Sequence, residues 1–233
     1  SFGEKLKEDD VTYIEKEFNE ILLEDGYISL FNFPNLKEFV QLIKKICLDN
    51  NILLCFDEMQ AGFGRTGRAF GFQHYDVTPD LICCGKGMGG GVSLSGVLGR
   101  AEIMDLPDVG NMSSTHSANP LVCAAGLAVI EEIESRNLIA ETARKGELLF
   151  NALGELQARF PNRIAHLLGH GLIAAVLFHH PETGAADGPF TSRVAELCMQ
   201  KGLLVVHTGR ESIKIGPPLT ITDEALLEGV SVL

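Results

Sequence analysis

The sequence predicts an α/β protein, on three observations. Short apolar runs of strand length alternate with longer segments whose apolar residues recur at helical spacing. The core formers are aliphatic: hydrophobic residues make up 45% of the 233, aromatics only 7%, and there is no Trp. Two of the apolar runs, Ile52-Leu53-Leu54-Cys55-Phe56 and Leu81-Ile82-Cys83-Cys84, read as strands buried on both faces, as in a parallel sheet.

The elements follow in order. Leu36, Phe39, Val40, Ile43, Ile46 and Cys47 fall on one helical face, giving an amphipathic helix over 36–49 that Asp49-Asn50-Asn51 ends. Strands follow at 52–56 and 81–84, and Ser95 to Gly99 is a third candidate. Asn119-Pro120 opens a helix to about Ile133, with proline tolerated in the first turn. A charged amphipathic helix runs from Leu138 to about Phe160. Ile173 to Phe178 reads as a strand, and His180 to Pro189 as an exposed loop rich in Gly, Pro and Asp. A helix over 190–200, strands at 203–206 and 213–215, and a helix from Thr222 to Val232 capped by Thr222 or Asp223 complete the chain. The division expected is a sheet-bearing unit over 1–134 and a smaller α/β unit over 135–233. There is no internal repeat.

Charge and composition exclude several functions. A net charge of −12 argues against general affinity for nucleic acid. No segment approaches the apolar length of a membrane span, and no secretory signal pattern stands at the N-terminus. The six cysteines lie mostly in apolar runs without paired metal-ligand spacing, and read as buried free thiols of a reducing, cytoplasmic compartment. Cys83 and Cys84 point to opposite sides if on a strand. His179, His180 and His207 read as turn or surface residues, so no metal is expected.

The chemistry sits just past the two apolar strands. Asp57 ends the first, and Lys86 follows the second in Cys84-Gly85-Lys86-Gly87-Met88-Gly89-Gly90-Gly91. Ligands of open α/β sheets gather at that edge. A lysine amine can form an imine with an aldehyde cofactor, and a carboxylate can hold a pyridine nitrogen protonated; that pairing is the one pyridoxal phosphate uses. Flanking glycines let the backbone approach a bulky ring. Either residue alone would more often be a cap or a solvated loop lysine. The glycine run is no phosphate-binding P-loop, because there the lysine follows the glycines and precedes Ser or Thr.

Three longer stretches raise that reading. Leu53-Leu54-Cys55-Phe56-Asp57-Glu58-Met59-Gln60-Ala61-Gly62-Phe63-Gly64-Arg65-Thr66-Gly67, the segment 78–91 around Lys86, and the segment 113–125 from Ser113-Ser114-Thr115-His116 onward closely resemble, in order, the motifs of the class III aminotransferases, the ω branch of the fold-type I pyridoxal phosphate enzymes. The resemblance covers roughly the family's C-terminal half. It implies a mainly parallel large-domain sheet, incomplete here, followed by a small C-terminal α/β domain. It implies pyridoxal phosphate as cofactor, with Lys86 as the imine-forming lysine, Asp57 as partner of the pyridine nitrogen, and Gln60 bonded to the phenolic oxygen. Met59 stands where a small branched residue usually packs behind the ring. Thr115 matches a threonine that reaches the phosphate in the neighbouring subunit, so a homodimer with shared active sites is implied.

The sequence also departs from the family. Lys214, in Ser212-Ile213-Lys214-Ile215-Gly216-Pro217-Pro218, stands where the family often carries an arginine that grips a substrate carboxylate. Lysine offers a point charge in place of a planar fork. The family's phosphate loop and stacking aromatic have no counterpart here, and Glu24 only weakly matches a substrate-site glutamate. The function expected is transfer of an amino group from an amino acid, ω-amino acid or diamine to a keto acid. Two alternatives stand beside it: a racemase or aminomutase on the same fold, and a non-catalytic truncated or partner subunit.

Overall fold

The structure is a computed structural model and describes residues 36–112 and 114–233. Glu24 and Ser113 lie outside the described residues. Helix α1 (Leu36–Asp49) buries Phe39, Ile46 and Cys47, the stripe its helical spacing predicts. It leads to a three-stranded sheet of β1 (Cys55–Asp57), β2 (Leu81–Cys84) and β3 (Gly96–Gly99), in that order. β1 and β2 run parallel, with Asp57 opposite Cys83, whereas β3 pairs antiparallel to β2.

One residue ties these pieces together. Asp80, buried just before β2, accepts from Leu54 N at 2.9 Å, from Arg100 Nη1 at 2.9 Å and from Lys44 Nζ at 3.3 Å. It thus joins α1, β1 and the end of β3. The Leu54 N–H, seconded by Arg100 and Lys44, holds its carboxyl below the usual range against the opposing effect of burial.

β1 departs from expectation. It is shorter than the apolar run, and Cys55 and Asp57 are exposed on it. Among the described residues nothing covers that face, so the run is not buried on both sides. The thiols divide accordingly: Cys47, Cys84 and Cys198 are buried, but Cys55 and Cys123 are exposed. Cys84 faces inward, while Cys83 turns to the other face with its Sγ 3.6 Å from Cys55 Sγ.

The short helix α2 (Ala101–Met104) and the long α3 (Pro120–Ser135) follow. Asn119 caps α3 by accepting from Leu121 N at 2.9 Å, with Pro120 in the first turn as its missing N–H permits. α4 (Leu138–Arg159) then packs on a second sheet, made of β4 (Ile164–His170), β5 (Ile173–Phe178), β6 (Val206–His207) and β7 (Ser212–Ile215) in the order β4-β5-β7-β6. All its pairs are antiparallel. Helices α5 (Gly188–Gln200) and α6 (Asp223–Val232) complete it, the latter capped by Thr222. Leu149, Leu153, Leu172, Val176 and Ile213 meet in its core at 0% exposure, each burial contributing about 1.5–3 kcal/mol.

Two differences from the sequence reading have local causes. β4 was not expected: a register shift between Ile164 and His166 breaks the alternation that marks a strand, and Gly169 and His170 end it. The strand expected over 203–206 forms only at Val206–His207. The histidines considered as ligands act locally. His207 Nε2 lies 2.9 Å from Arg210 O, His180 Nδ1 accepts from Glu182 N, and His179 bridges to Ala186.

The two sheets meet at the glycine-rich stretch after β1. Leu172 N donates to Arg65 O, and Gly171 sits with φ +56 where a Cβ would come within 2.5 Å of Thr66 C. Only glycine satisfies both the left-handed backbone and that approach. Beside it His170, ending β4, stacks on His74, which closes a 3₁₀ turn over Gly71–His74; the ring centroids are 4.9 Å apart.

Burial holds both imidazoles below the ordinary histidine range, and at His74 the neighbouring His170 adds to the effect. The folded chain therefore favours the neutral rings, while the unfolded chain protonates them near about pH 6.5. Stability from the pair is complete above that pH and is lost as pH falls through the lowered folded values. The urea midpoint should drop between about pH 7.5 and about pH 5.5, and His170→Phe should flatten that drop. The lowered carboxyls of Asp80 and Asp223 act only at more acid pH. A drop unchanged in His170→Phe would assign the effect elsewhere.

Candidate active site

The site is built on the carboxyl ends of β1 and β2. Chain reversal after β1 is held by Glu58, which follows Asp57 on the opposite, inward face. Its side chain is 1% exposed, and its two oxygens accept from Gly71 N and Phe72 N at 2.8 Å each. Its own N–H donates to Cys83 O at 2.9 Å, so β1 and β2 end in register. Asp57, on the other face, is exposed; Oδ1 accepts from Met59 N at 3.0 Å. Among the described residues no cation pairs with it.

After β2 the chain passes through Gly85 into a 3₁₀ turn over Lys86–Gly89, with Lys86 itself at φ 53. The Met59 thioether lies over Gly85: a Cβ there would stand 2.4 Å from Met59 Sδ. At Gly87 an added Cβ would meet nothing. The Lys86 amine points back to β1 and donates to Gln60 Oε1.

Lys214 arrives at the same oxygen from the second sheet. Its Nζ, on β7, donates to Gln60 Oε1 at 2.8 Å. Two amines from separate sheets therefore share one neutral acceptor. Burial first, then the Lys86 and Arg65 charges, hold Lys214 below the ordinary lysine range. Arg65 is itself a fixture of the junction, donating through Nη1 to Leu172 O at 3.0 Å and to Pro217 O. Burial lowers its guanidinium from the usual value. The amine of Lys86 opens on a cleft of about 640 Å³ whose walls include Gln60, Phe63, Val92, Glu132 and Leu219.

The structure thus brings Lys86, Gln60 and Lys214 together. Asp57 and Met59 share their sheet edge without touching the amines. Thr115 stands apart on an exposed turn before α3. Two residues of the site were given no role by sequence reasoning. Glu58 carried one signal, a charge directly after a strand end on the inward side of the alternation. Arg65 carried another, a cation inside the glycine-rich stretch Gly62-Phe63-Gly64-Arg65-Thr66-Gly67, otherwise made for close packing. Chemically, the arrangement offers a nucleophilic amine, a second amine of weakened proton affinity, an amide acceptor between them, and an adjacent carboxylate.

Comparison with known proteins agrees with this architecture. The family model described as Aminotransferase class-III matches residues 31–233. An acetylornithine aminotransferase of Synechocystis is 34% identical over 195 residues, covering 84% of this chain and 44% of its own. A leucine/methionine racemase of Thermococcus litoralis is 36% identical over 234 residues, covering 96% of this chain and 52% of its own. The crystal structure of acetylornithine aminotransferase from Elizabethkingia anophelis superposes with a TM-score of 0.75 at 31% identity, covering 83% of this chain and 47% of that one. The chain spans about half the length of the curated relatives it matches. With a family model matched over most of its length, and relatives above 30% identity across more than two thirds of it, the chain belongs to the class-III aminotransferases.

Proposed function

We propose that this chain carries the lysine-bearing part of a pyridoxal phosphate-dependent aminotransferase, moving an amino group from an amino acid, ω-amino acid or diamine to a keto acid. The observation that carries the reading is Lys86: a solvent-reachable amine at the carboxyl edge of the sheet, aimed into a cleft and held by Gln60. The residues fit the cofactor. Asp57 keeps one carboxylate oxygen outside the Met59 N–H bond for a ring nitrogen, and the open space at Gly87 leaves room above the strand ends.

When bound, the cofactor supplies an aldehyde and an electron sink. Lys86 supplies the amine that attaches it, and afterwards the base that moves a proton at the substrate carbon. Gln60 orients the amine and offers its amide to the phenolic oxygen. Met59 packs at the turn behind the ring position. Lys214 holds a substrate carboxylate. Thr115, exposed in the single chain, is available to the phosphate of a second copy, which makes a homodimer with shared sites the working unit. The boundary proposed between the units, 134/135, falls at the end of α3. No described helix is long and apolar enough to cross a membrane, and a cytoplasmic location is proposed from the thiol usage.

The test is covalent attachment. After incubation with pyridoxal phosphate and borohydride reduction, the peptide containing Lys86 should carry the added mass. Attachment absent, or found on another lysine, overturns the reading.

The Thermococcus racemase relative favours a second reading, since it matches nearly the whole chain. An amino acid supplied without keto acid distinguishes the two. A racemase inverts it over many turnovers, whereas an aminotransferase stops after one.

A further inference from the structure

We propose that Cys55 and Cys83 form an oxidative modification site: glutathione disulfide joins the two thiols across β1 and β2, and the bond displaces the strand ends that carry Asp57 and Lys86. The bond itself rests on no functional reading; its consequence at Lys86 rests on the amino-transfer reading above.

The two sulfurs are already neighbours. Cys55 Sγ and Cys83 Sγ stand 3.6 Å apart on one face of adjacent parallel strands. The fold makes this contact, since the residues lie 28 apart in the chain. Cys55 is exposed and Cys83 half-buried. Cys84, next in the chain, points the other way and is 1% exposed. The alternation of a strand therefore selects Cys83, and not Cys84, as the partner of Cys55.

Register decides what the bond would do. Cys83 stands opposite Asp57, and Cys55 opposite Leu81, so the two thiols meet on a diagonal, two residues out of register. A strand spacing of about 4.8 Å and a rise of about 3.3 Å per residue put Cα atoms so placed about 8 Å apart. A disulfide usually spans about 4.4–6.8 Å between Cα atoms. The sulfurs can therefore bond only if the backbone yields by about 1 Å or more.

The side that yields is the carboxyl one. Leu54, just before Cys55, is held twice by Asp80: its N–H donates to Asp80 Oδ2 at 2.9 Å, and its carbonyl accepts from Asp80 N at 2.8 Å. Beyond the pair lie the parts of the site. Cys83 O accepts from Glu58 N at 2.9 Å, and the chain after Cys84 enters the turn that begins at Lys86. Moving Cys83 towards Cys55 thus disturbs Asp57 through its register and Lys86 through the chain.

The exchange needs no co-reactant besides the oxidant. The thiolate of Cys55, the more exposed residue, attacks one sulfur of glutathione disulfide; that S–S bond breaks and one glutathione leaves as thiolate. The thiolate of Cys83 then attacks the Cys55 sulfur, and the second glutathione leaves. The protein gives up two electrons, its two thiol protons pass to the departing thiolates, and the oxidant ends as two glutathiones. Burial, then the contact with Cys83, raises the Cys55 thiol above its ordinary range. The exchange therefore quickens as pH rises. A bond that forces the backbone is also easily reduced, as suits a reversible mark in a reducing compartment.

The experiment uses the reduced 233-residue chain and glutathione disulfide at about pH 8.5, near an ordinary thiol pKa. Intact mass should fall by two hydrogen atoms, and digestion after alkylation of the remaining thiols should release a peptide pair linked through Cys55 and Cys83. Cys55→Ser and Cys83→Ser should each lack the link and carry glutathione on the thiol that remains. Attachment of pyridoxal phosphate at Lys86, trapped by borohydride, is then compared before and after oxidation. It should slow by up to about 10²-fold, the cost of a displacement near 1 Å in a reacting site, and recover in dithiothreitol. In the double variant Cys55→Ser/Cys83→Ser the oxidant should leave the rate unchanged. No link in the native chain, a link from either residue to Cys123 instead, or a link that leaves attachment unaltered overturns the proposal. Attachment missing from the reduced parent counts against the amino-transfer reading, while the linked peptides still decide the site.

Discussion

Lys86→Ala should abolish covalent attachment of pyridoxal phosphate and reduce amino transfer by at least the contribution of a positioned proton-transfer group, about 10²–10⁴-fold. The structure makes the variant clean. Lys86 is exposed and its hydrogen bond to Gln60 is local, so the unfolding free energy from urea titration should hold within about 0.5 kcal/mol of the parent, as for other surface changes. Lys86→Arg is the sharper control: it keeps the charge on Gln60 and removes the nucleophile. Attachment should vanish in both variants. Lys214 supplies a second readout. Its amine is held down first by burial and then by the Lys86 charge, so its proton affinity should rise in Lys86→Ala, though not to the ordinary value, and stay low in Lys86→Arg. That shift can be followed by ¹³C NMR of labelled lysine. Attachment surviving in Lys86→Ala, or moving to Lys214 in the parent protein, would remove Lys86 from its role.

How far the sequence foretold the molecule depends on whether the relevant physics is local. The α1 stripe of Phe39, Ile46 and Cys47, the Asn119 cap with Pro120, and the Thr222 cap are matters of period and first-turn hydrogen bonding, so they were legible. β4 was not, because its bulge moves the alternation out of phase within a few residues of its start. The exposed face of β1 was not legible either. Apolar content records what a segment is suited to bury, not what covers it.

At the site, Lys86 and Asp57 stood out because each ends a strand. Gln60 was found by resemblance, but its actual partners needed the fold: the amine of Lys214 comes from a strand more than a hundred residues away in another sheet. The same holds for Arg65. Only the packing of Gly171 against Thr66 explains why a cation there must satisfy carbonyls of the second sheet. What the sequence did not carry is which of these side chains meet across the junction, because that depends on how the two sheets pack and not on either strand alone.

The largest loss of stability is expected at Glu58. It is almost wholly buried, and its two oxygens are the acceptors for Gly71 N and Phe72 N. Glu58→Ala leaves both donors without that acceptor, each costing about 1–3 kcal/mol, or about 2–6 kcal/mol together. Against a whole-protein stability of about 5–15 kcal/mol, that is enough to unfold part of the population at ambient temperature. Glu58→Gln separates the hydrogen bonds from the volume. Its carbonyl can still accept from one N–H, but its amide group presents donors to the other. The urea midpoints should therefore rank parent, Glu58→Gln, Glu58→Ala. The loss should also reach the chemistry, because Glu58 anchors the turn that carries Asp57 on one side and Gln60 on the other. In Glu58→Gln, kept folded at low urea, attachment at Lys86 should persist but proceed more slowly, since the nucleophile is intact and only its partner is displaced. Unfolding free energies for all three proteins within about 0.5 kcal/mol of one another, the scatter of ordinary surface changes, would show that the buried Glu58 side chain does not hold this turn.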